Sequence, residues 1–169
     1  MAEKYLKNSS GQLAEVEGLT TSQGAGDAGK IIALDSSGKI DNSMMPSGIG
    51  ADTEVMATSE SLSAGDLVNI WNDSGTRKAR KADASNGRRA HGFVLDAVTS
   101  PNNATVYMSG DITGLTSLTP GTVYYLSAST AGALTSTSPS TAGQLSQEIG
   151  IAVSSTSIVF KPQQPITLA

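Results

Sequence analysis

The chain has 169 residues, of which only 38% are hydrophobic and 4% aromatic, so it buries little apolar surface per residue and would be marginal as one compact monomer; oligomerisation is the expected remedy. A net charge of −4 and a pI near 4.8 argue against a protein whose main task is holding nucleic acid, and no apolar run approaches the ~20 residues that a membrane helix requires. With no Cys and a single His the chain has no disulfide staple, no thiolate metal site and no multi-histidine site, and no metal or cofactor is expected.

The opening residues, Met1 to Leu6, carry no hydrophobic run of the kind a secretion signal needs, so the chain is expected to be made in the cytoplasm. Two short turn units follow. Leu6-Lys7-Asn8-Ser9-Ser10-Gly11-Gln12-Leu13 and Leu34-Asp35-Ser36-Ser37-Gly38-Lys39-Ile40 each place apolar residues on either side of a Ser-Ser-Gly turn, as a β-hairpin does. A hairpin this small is not stable alone. The segment is therefore expected to gain order by lying on a partner or a neighbouring subunit, with Tyr5, Leu6, Leu13, Ile31, Ile32, Leu34 and Ile40 as candidate contact residues. Residues 42–52, with Pro46, Gly48 and Gly50, read as a linker, which divides the chain into an extended N-terminal arm, 1–50, and a β domain, 51–169.

Beyond the linker, the only stretch that tolerates a helix, Glu54 to Ser63, lacks an apolar stripe. Strand signals are frequent. Leu67–Trp71, Phe93–Leu95, Thr105–Met108, Val123–Leu126, Ile149–Val153 and Ser157–Phe160 are rich in β-branched and aromatic residues, and Gly, Asn, Asp, Ser and Pro separate them. This spacing predicts an all-β fold, a small barrel or sandwich.

Two halves of the region look alike. Leu62-Ser63-Ala64-Gly65 opens the first and Leu118-Thr119-Pro120-Gly121 the second; each leads into a strand, turns at Gly75 or Gly132, and runs through a polar stretch ending at Gly87 or Gly143. A strand around Phe93 or Ile151 and an alternating strand around Tyr107 or Val159 close each half, at an offset of about 56 residues. A repeated β unit that cannot cover its own apolar face is expected to close on its twin.

Signals for chemistry are few. Gly24-Ala25-Gly26-Asp27-Ala28-Gly29 matches the glycine pattern of dinucleotide sites, but a polar loop precedes it and a strand-like run, Lys30–Leu34, follows it, where the chemistry needs a strand before and a helix after. A flexible turn is the better reading. His91 stands beside Gly92 at a strand start, no Ser lies in a Gly-x-Ser-x-Gly elbow, and the acids fall at turns in no calcium-loop spacing. Catalysis is not expected. Asn8-Ser9-Ser10, Asn72-Asp73-Ser74 and Asn103-Ala104-Thr105 match the glycosylation sequon and read as surface turns. Arg77, Lys78, Arg80, Lys81, Arg88 and Arg89 form the one charge cluster; they read either as a docking surface for an acidic partner or as a hairpin face paired internally with other strands. Stacking aromatics are not interleaved there, which disfavours nucleic acid.

The run from Asp27 through Lys30-Ile31-Ile32-Ala33-Leu34-Asp35-Ser36-Ser37-Gly38-Lys39-Ile40 to Met44-Met45-Pro46 resembles a segment of tailed-bacteriophage structural proteins. Leu118–Ser127, continuing to Gly143, Gln147, Glu148–Ala152 and Ile158–Phe160, is similar to their small β domains. The resemblance implies a head decoration, or cement, protein: a homotrimer on the outer capsid surface of a virion that bridges capsomers of the major capsid protein. The same motifs occur in tail and fibre components that bind a host surface or another tail protein. The short chain, without a long repetitive shaft, favours decoration.

Overall fold

The structure, a computed structural model, describes residues 4–45 and 52–169. Most of the expected linker therefore lies outside the described residues. The chain divides into two compact units, Met1–Gly50 and Ala51–Ala169. Among the described residues there is no α-helix.

The first unit begins with a hairpin of β1 (Lys4–Ser9) and β2 (Gln12–Glu17), paired antiparallel with Ser9 opposite Gln12. Ser10 and Gly11 turn the chain with φ of 55° and 85°, the left-handed pair of a two-residue type I′ turn, and the Asn8 side chain accepts the Gly11 N–H at 3.0 Å. After the hairpin, a single parallel bridge joins Leu19 to Ile32. The loop between them holds a one-turn 3₁₀ helix, Ala25–Asp27. This is where the dinucleotide-like glycines fall, and no helix follows them. Asp27 organises the loop: its carboxylate accepts Lys30 Nζ and the Gln23 N–H, each at 2.6 Å, and these bonds hold its pKa below the ordinary value. The second Ser-Ser-Gly turn closes differently from a hairpin. Asp35 Oδ1 accepts the N–H groups of Ser37 and Lys39, at 2.8 and 2.9 Å, so the side chain takes up the donors that flanking strands would use, and no strands form there. None of residues 4–45 whose burial is described is buried.

The second unit is built from two five-stranded antiparallel sheets. The first comprises β3 (Thr53–Ala57), β4 (Leu67–Asp73), β5 (Thr76–Lys81), β6 (Gly92–Phe93) and β7 (Asn103–Tyr107), in the order β3-β7-β6-β4-β5. The second comprises β8 (Gly110–Ile112), β9 (Val123–Leu126), β10 (Leu134–Thr135), β12 (Glu148–Ala152) and β13 (Ile158–Phe160), in the order β8-β13-β12-β9-β10. Between β10 and β12 in sequence, β11 (Leu145–Ser146) pairs with β14 (Ile166–Thr167). The stretch that tolerated a helix forms none: it opens on the end of strand β3, where Met56 is buried opposite Ala104 of β7, and continues as irregular chain.

Taken in chain order, the two sheets have one topology: the first strand at an edge, then the fifth, fourth, second and third. The turns repeat as well. Gly65 and Gly121 have φ of 84° and 80°, and Gly87 and Gly143 have 79° and 83°. The bond from Asp66 N–H to Ser63 O has its counterpart from Thr122 N–H to Thr119 O, both 3.1 Å. The two related β units of the sequence are thus two copies of one folded motif. They do not close as a barrel. Each sheet stays open, and the two share one core in the sandwich manner.

That core gathers Leu67, Ala82, Ala84, Ala90 and Phe93 of the first repeat with Ile112, Leu126, Leu145, Ile149 and Phe160 of the second. Phe93 stacks on Tyr107 at 5.4 Å and meets Phe160 edge-on at 5.1 Å. Such ring pairs add about 0.5–1.5 kcal/mol each beyond the area they bury. Gln147 fastens the join. It is buried, its Oε1 accepts the Ala90 N–H at 2.7 Å, and its Nε2 donates to the oxygens of Ala90 and Gln163 at 3.0 and 3.2 Å. Each repeat also keeps a smaller cluster of its own, around Val68 and Val106 or around Tyr124 and Ile158.

Glycine sits at matching points of the two fourth strands. Gly92 lies opposite Val68, and Gly150 opposite Tyr124. A Cβ on either would collide with a backbone carbonyl of the next strand, Tyr107 O or Val159 O. Gly150→Ala is expected to lower the stability of the chain by about 2–4 kcal/mol in urea denaturation, since the strand must shift to admit a methyl group. A change within about 0.5 kcal/mol, the range of ordinary surface substitutions, would contradict this packing.

Candidate binding surfaces

The apolar residues expected to meet a partner are spread through the first unit and stand in solvent. Leu6 and Leu13 are diagonal neighbours on one face of the hairpin and about 70% exposed (71% and 73%). Tyr5, half-buried opposite Val16, is on the other face. Ile31 and Ile32 at the parallel bridge, Leu34 before the Asp35 turn and Ile40 after it are all exposed. The hairpin thus shows apolar side chains on both faces, and the outer edges of β1 and β2 are unpaired among the described residues.

The basic cluster is mostly paired within the second unit. Arg77 meets Glu54, Lys78 lies 2.8 Å from Asp73, Lys81 is 3.1 Å from Asp66, and Arg88 is 3.7 Å from Glu60. Arg80 lies over the Trp71 ring, 4.4 Å from its centroid, and its Nε donates to Asn69 Oδ1 at 2.9 Å. Of these six, Arg80 and Arg89 have no carboxylate within ion-pair distance among the described residues. The six cations therefore do not form one open docking patch. Sequence places four of them on β5 and two in the turn that follows, and their partners come from β3, from the end of β4 and from the segment between those strands.

His91 is held rather than free. Its Nδ1 accepts the Ile70 N–H at 2.9 Å, and Arg89 Nε stands 2.8 Å from Nε2. Among the described residues no group of three or more His, Asp or Glu side chains could hold a metal ion. No helix of the structure is long and apolar enough to cross a membrane.

One surface has no counterpart in the sequence expectations. In the first sheet, Leu67, Phe93 and Tyr107 stand side by side, and this row lies beneath the second repeat through Phe93 and Phe160. The same row in the second sheet is Val123, Ile151 and Val159. Among the described residues of the second unit, no buried cluster includes it. Ile151 and neighbouring Val153 are 46% and 55% exposed, beside a hollow of about 410 Å³ bordered by Glu148, Lys161 and Gln163. The signal was present in the run Ile149-Gly150-Ile151-Ala152-Val153, which is apolar at both parities of a strand. A register shift between Glu148 and Gly150 turns both Ile149 and Ala152 inward and leaves Ile151 and Val153 outside.

Burial, and then the charge of Arg89, hold the His91 pKa below the ordinary value of about 6.5. The folded chain then binds fewer protons at this site than the unfolded chain between the lowered value and 6.5. His91 therefore contributes stability that is complete above about pH 6.5 and is lost as pH falls toward the lowered value. Denaturation midpoints between pH 7.5 and 5.5 are expected to fall on acidification in the parent chain and to fall less in His91→Gln; equal slopes would remove this role. In comparison with known proteins, no protein-family model matches the chain, and no curated protein matches it.

Proposed function

We propose that the chain is a virion structural protein that binds protein surfaces and performs no catalysis, decorating the outer surface of a capsid as a homotrimer and bridging subunits of the major capsid protein. The observation that carries this reading is the first unit. It presents Leu6, Leu13, Ile31, Ile32, Leu34 and Ile40 to solvent and has no buried residue among those described. A two-stranded hairpin with no core is not stable in water, so its folded form calls for a surface on which to lie. Its open edges can take up main-chain hydrogen bonds by strand addition, and its two apolar faces can seat in pockets. Many copies on one shell would turn modest contacts into high avidity.

The uncovered row on the second sheet supports self-association. It is the counterpart of a row that the chain itself covers, and exposed contiguous apolar surface marks an interaction site. Ile151→Lys is expected to shift the solution mass toward the monomer without lowering the melting temperature of the isolated monomer. A parent chain that is already monomeric, or a variant of unchanged mass, would remove the trimer face.

Deletion of residues 1–50 is expected to abolish binding to empty capsids in a co-sedimentation assay. Unchanged occupancy would reject the arm. Immunogold labelling of intact virions distinguishes this reading from a tail or fibre role: label over the whole head supports decoration, and label confined to the tail rejects it.

A further inference from the structure

The chain has seven asparagines, and one of them, Asn86, precedes a glycine. At each of the others the following main chain is held. Ser9, Ile70, Asp73, Asn103 and Ala104 lie in strands, and the Ser43 N–H donates to Asp41 Oδ1 at 2.9 Å. Asn86 and Gly87 instead stand exposed in the turn between β5 and β6. The Gly87 N–H has no acceptor among the described residues. A Cβ built on Gly87 would meet nothing within 4 Å, and glycine carries none, so the approach to its nitrogen is open. The Asn86 carboxamide is tied at one end: Nδ2 donates to Asp83 Oδ2 at 2.9 Å, and Oδ1 accepts from no described group.

A free main-chain nitrogen beside an exposed carboxamide can close a ring. Gly87 N gives its proton to water and bonds to Asn86 Cγ, forming a succinimide; the bond from Cγ to Nδ2 breaks, and that nitrogen leaves as ammonia. Water then adds to one of the ring carbonyls, its hydroxyl going to the carbon and its proton to the ring nitrogen. Opening at Cγ leaves aspartate. Opening at the main-chain carbonyl leaves isoaspartate, in which the main chain is longer by one carbon.

The place of the turn in the fold gives this change a consequence. The turn is closed by a pair of bonds, from the Asp83 N–H to Arg88 O at 2.7 Å and from the Arg88 N–H to Asp83 O at 3.1 Å. Ala84 and Ala90, on either side, belong to the core that the two repeats share. The Ala84 N–H donates to Ser127 O, and Ala84 O accepts the Leu145 N–H. Both products exchange the Nδ2 donor for a negative charge near Asp83, which turns a bond into a repulsion. Isoaspartate also lengthens a loop that the paired bonds hold closed.

We propose that Asn86 is a site of spontaneous deamidation, and that its modification loosens the seam between the two repeats. The proposal is independent of what surface the chain binds. To test it, the folded full chain is aged in mildly alkaline buffer and digested with trypsin, with a freshly purified sample digested alongside as the baseline. Mass mapping then follows segment 82–88, in which Asn86 is the single asparagine. This peptide is expected to gain the acid form and to become a substrate of an isoaspartyl methyltransferase, while the peptides holding Asn72, Asn102 and Asn103 stay amidated. Modified chains carry one further negative charge, separate on anion exchange, and are expected to melt below the parent. Asn86→Gln, whose longer side chain disfavours ring closure, is expected to give no such fraction. Gly87→Ala is expected to slow conversion to the level of the other asparagines; alanine is strained at the Gly87 φ of 79°, so Asn86→Gln serves as the control if that variant does not fold. Conversion at Asn86 no faster than at Asn72, Asn102 and Asn103, or an acidic fraction that persists in Asn86→Gln, would overturn the site. A modified fraction that melts with the parent would overturn its effect on the seam.

Discussion

The ring of Phe93 lies flat on Tyr107 of its own sheet and against the edge of Phe160 of the other, and the second unit is arranged around that meeting. Two repeats with the same strand order could have folded as separate beads. Neither has enough apolar residues to do so: the smaller clusters around Val68 and Tyr124 are too slight to offset chain entropy. Joining the repeats adds a third core that neither owns. The join also governs the polar groups. Gln147 of one repeat replaces the strand partner that Ala90 of the other would otherwise lack, so the seam closes without an unsatisfied buried side chain among the described residues.

The join is head-to-tail, and this has a consequence at the surface. The first repeat offers the row Leu67–Phe93–Tyr107 and the second covers it; the second offers the matching row Val123–Ile151–Val159, which belongs to no buried cluster among the described residues of the second unit. An arrangement in which unlike faces meet always leaves one face over. The spare apolar row therefore follows from the topology of duplication, not from a local accident of composition. The first unit is under-cored in a different way. There the side chains of Asp27 and Asp35 tie loops by local hydrogen bonds, and apolar residues are left for a surface outside the unit.

Charge is distributed by the same economy. A cluster of cations on one hairpin would repel itself if left alone. Glu54, Asp73, Asp66 and Glu60 meet four of the six, and Trp71 takes the face of a fifth. Pairs of this kind at partly exposed positions contribute little stability each. Their effect here is to cancel much of the field of the cluster, in which Arg89 alone has neither a carboxylate nor a ring partner among the described residues.

Much of this was legible in the residues. Turn glycines at a repeating offset announced the duplicated unit, and Gly65, Gly121, Gly87 and Gly143 all adopt the left-handed conformation that only glycine takes without strain. Alternating β-branched strands announced the all-β class, and the lack of Cys and of a second His ruled out thiolate and multi-histidine metal sites. Long-range pairing was not legible. Strand β3 has a composition that tolerates helix and is a strand only because β7 lies beside it. Barrel or sandwich was left open because local pattern does not say which faces meet. The carboxylates that meet Arg77 and Arg88, the outward turn of Ile151, and the bond from the Ile70 N–H to His91 all depend on residues distant in sequence. The sequence by itself determined the elements and their repetition, since these rest on periodicity and backbone preference. Only the tertiary structure decided which face is covered and which charges are cancelled, because each of these is a relation between strands that the chain brings together only by folding.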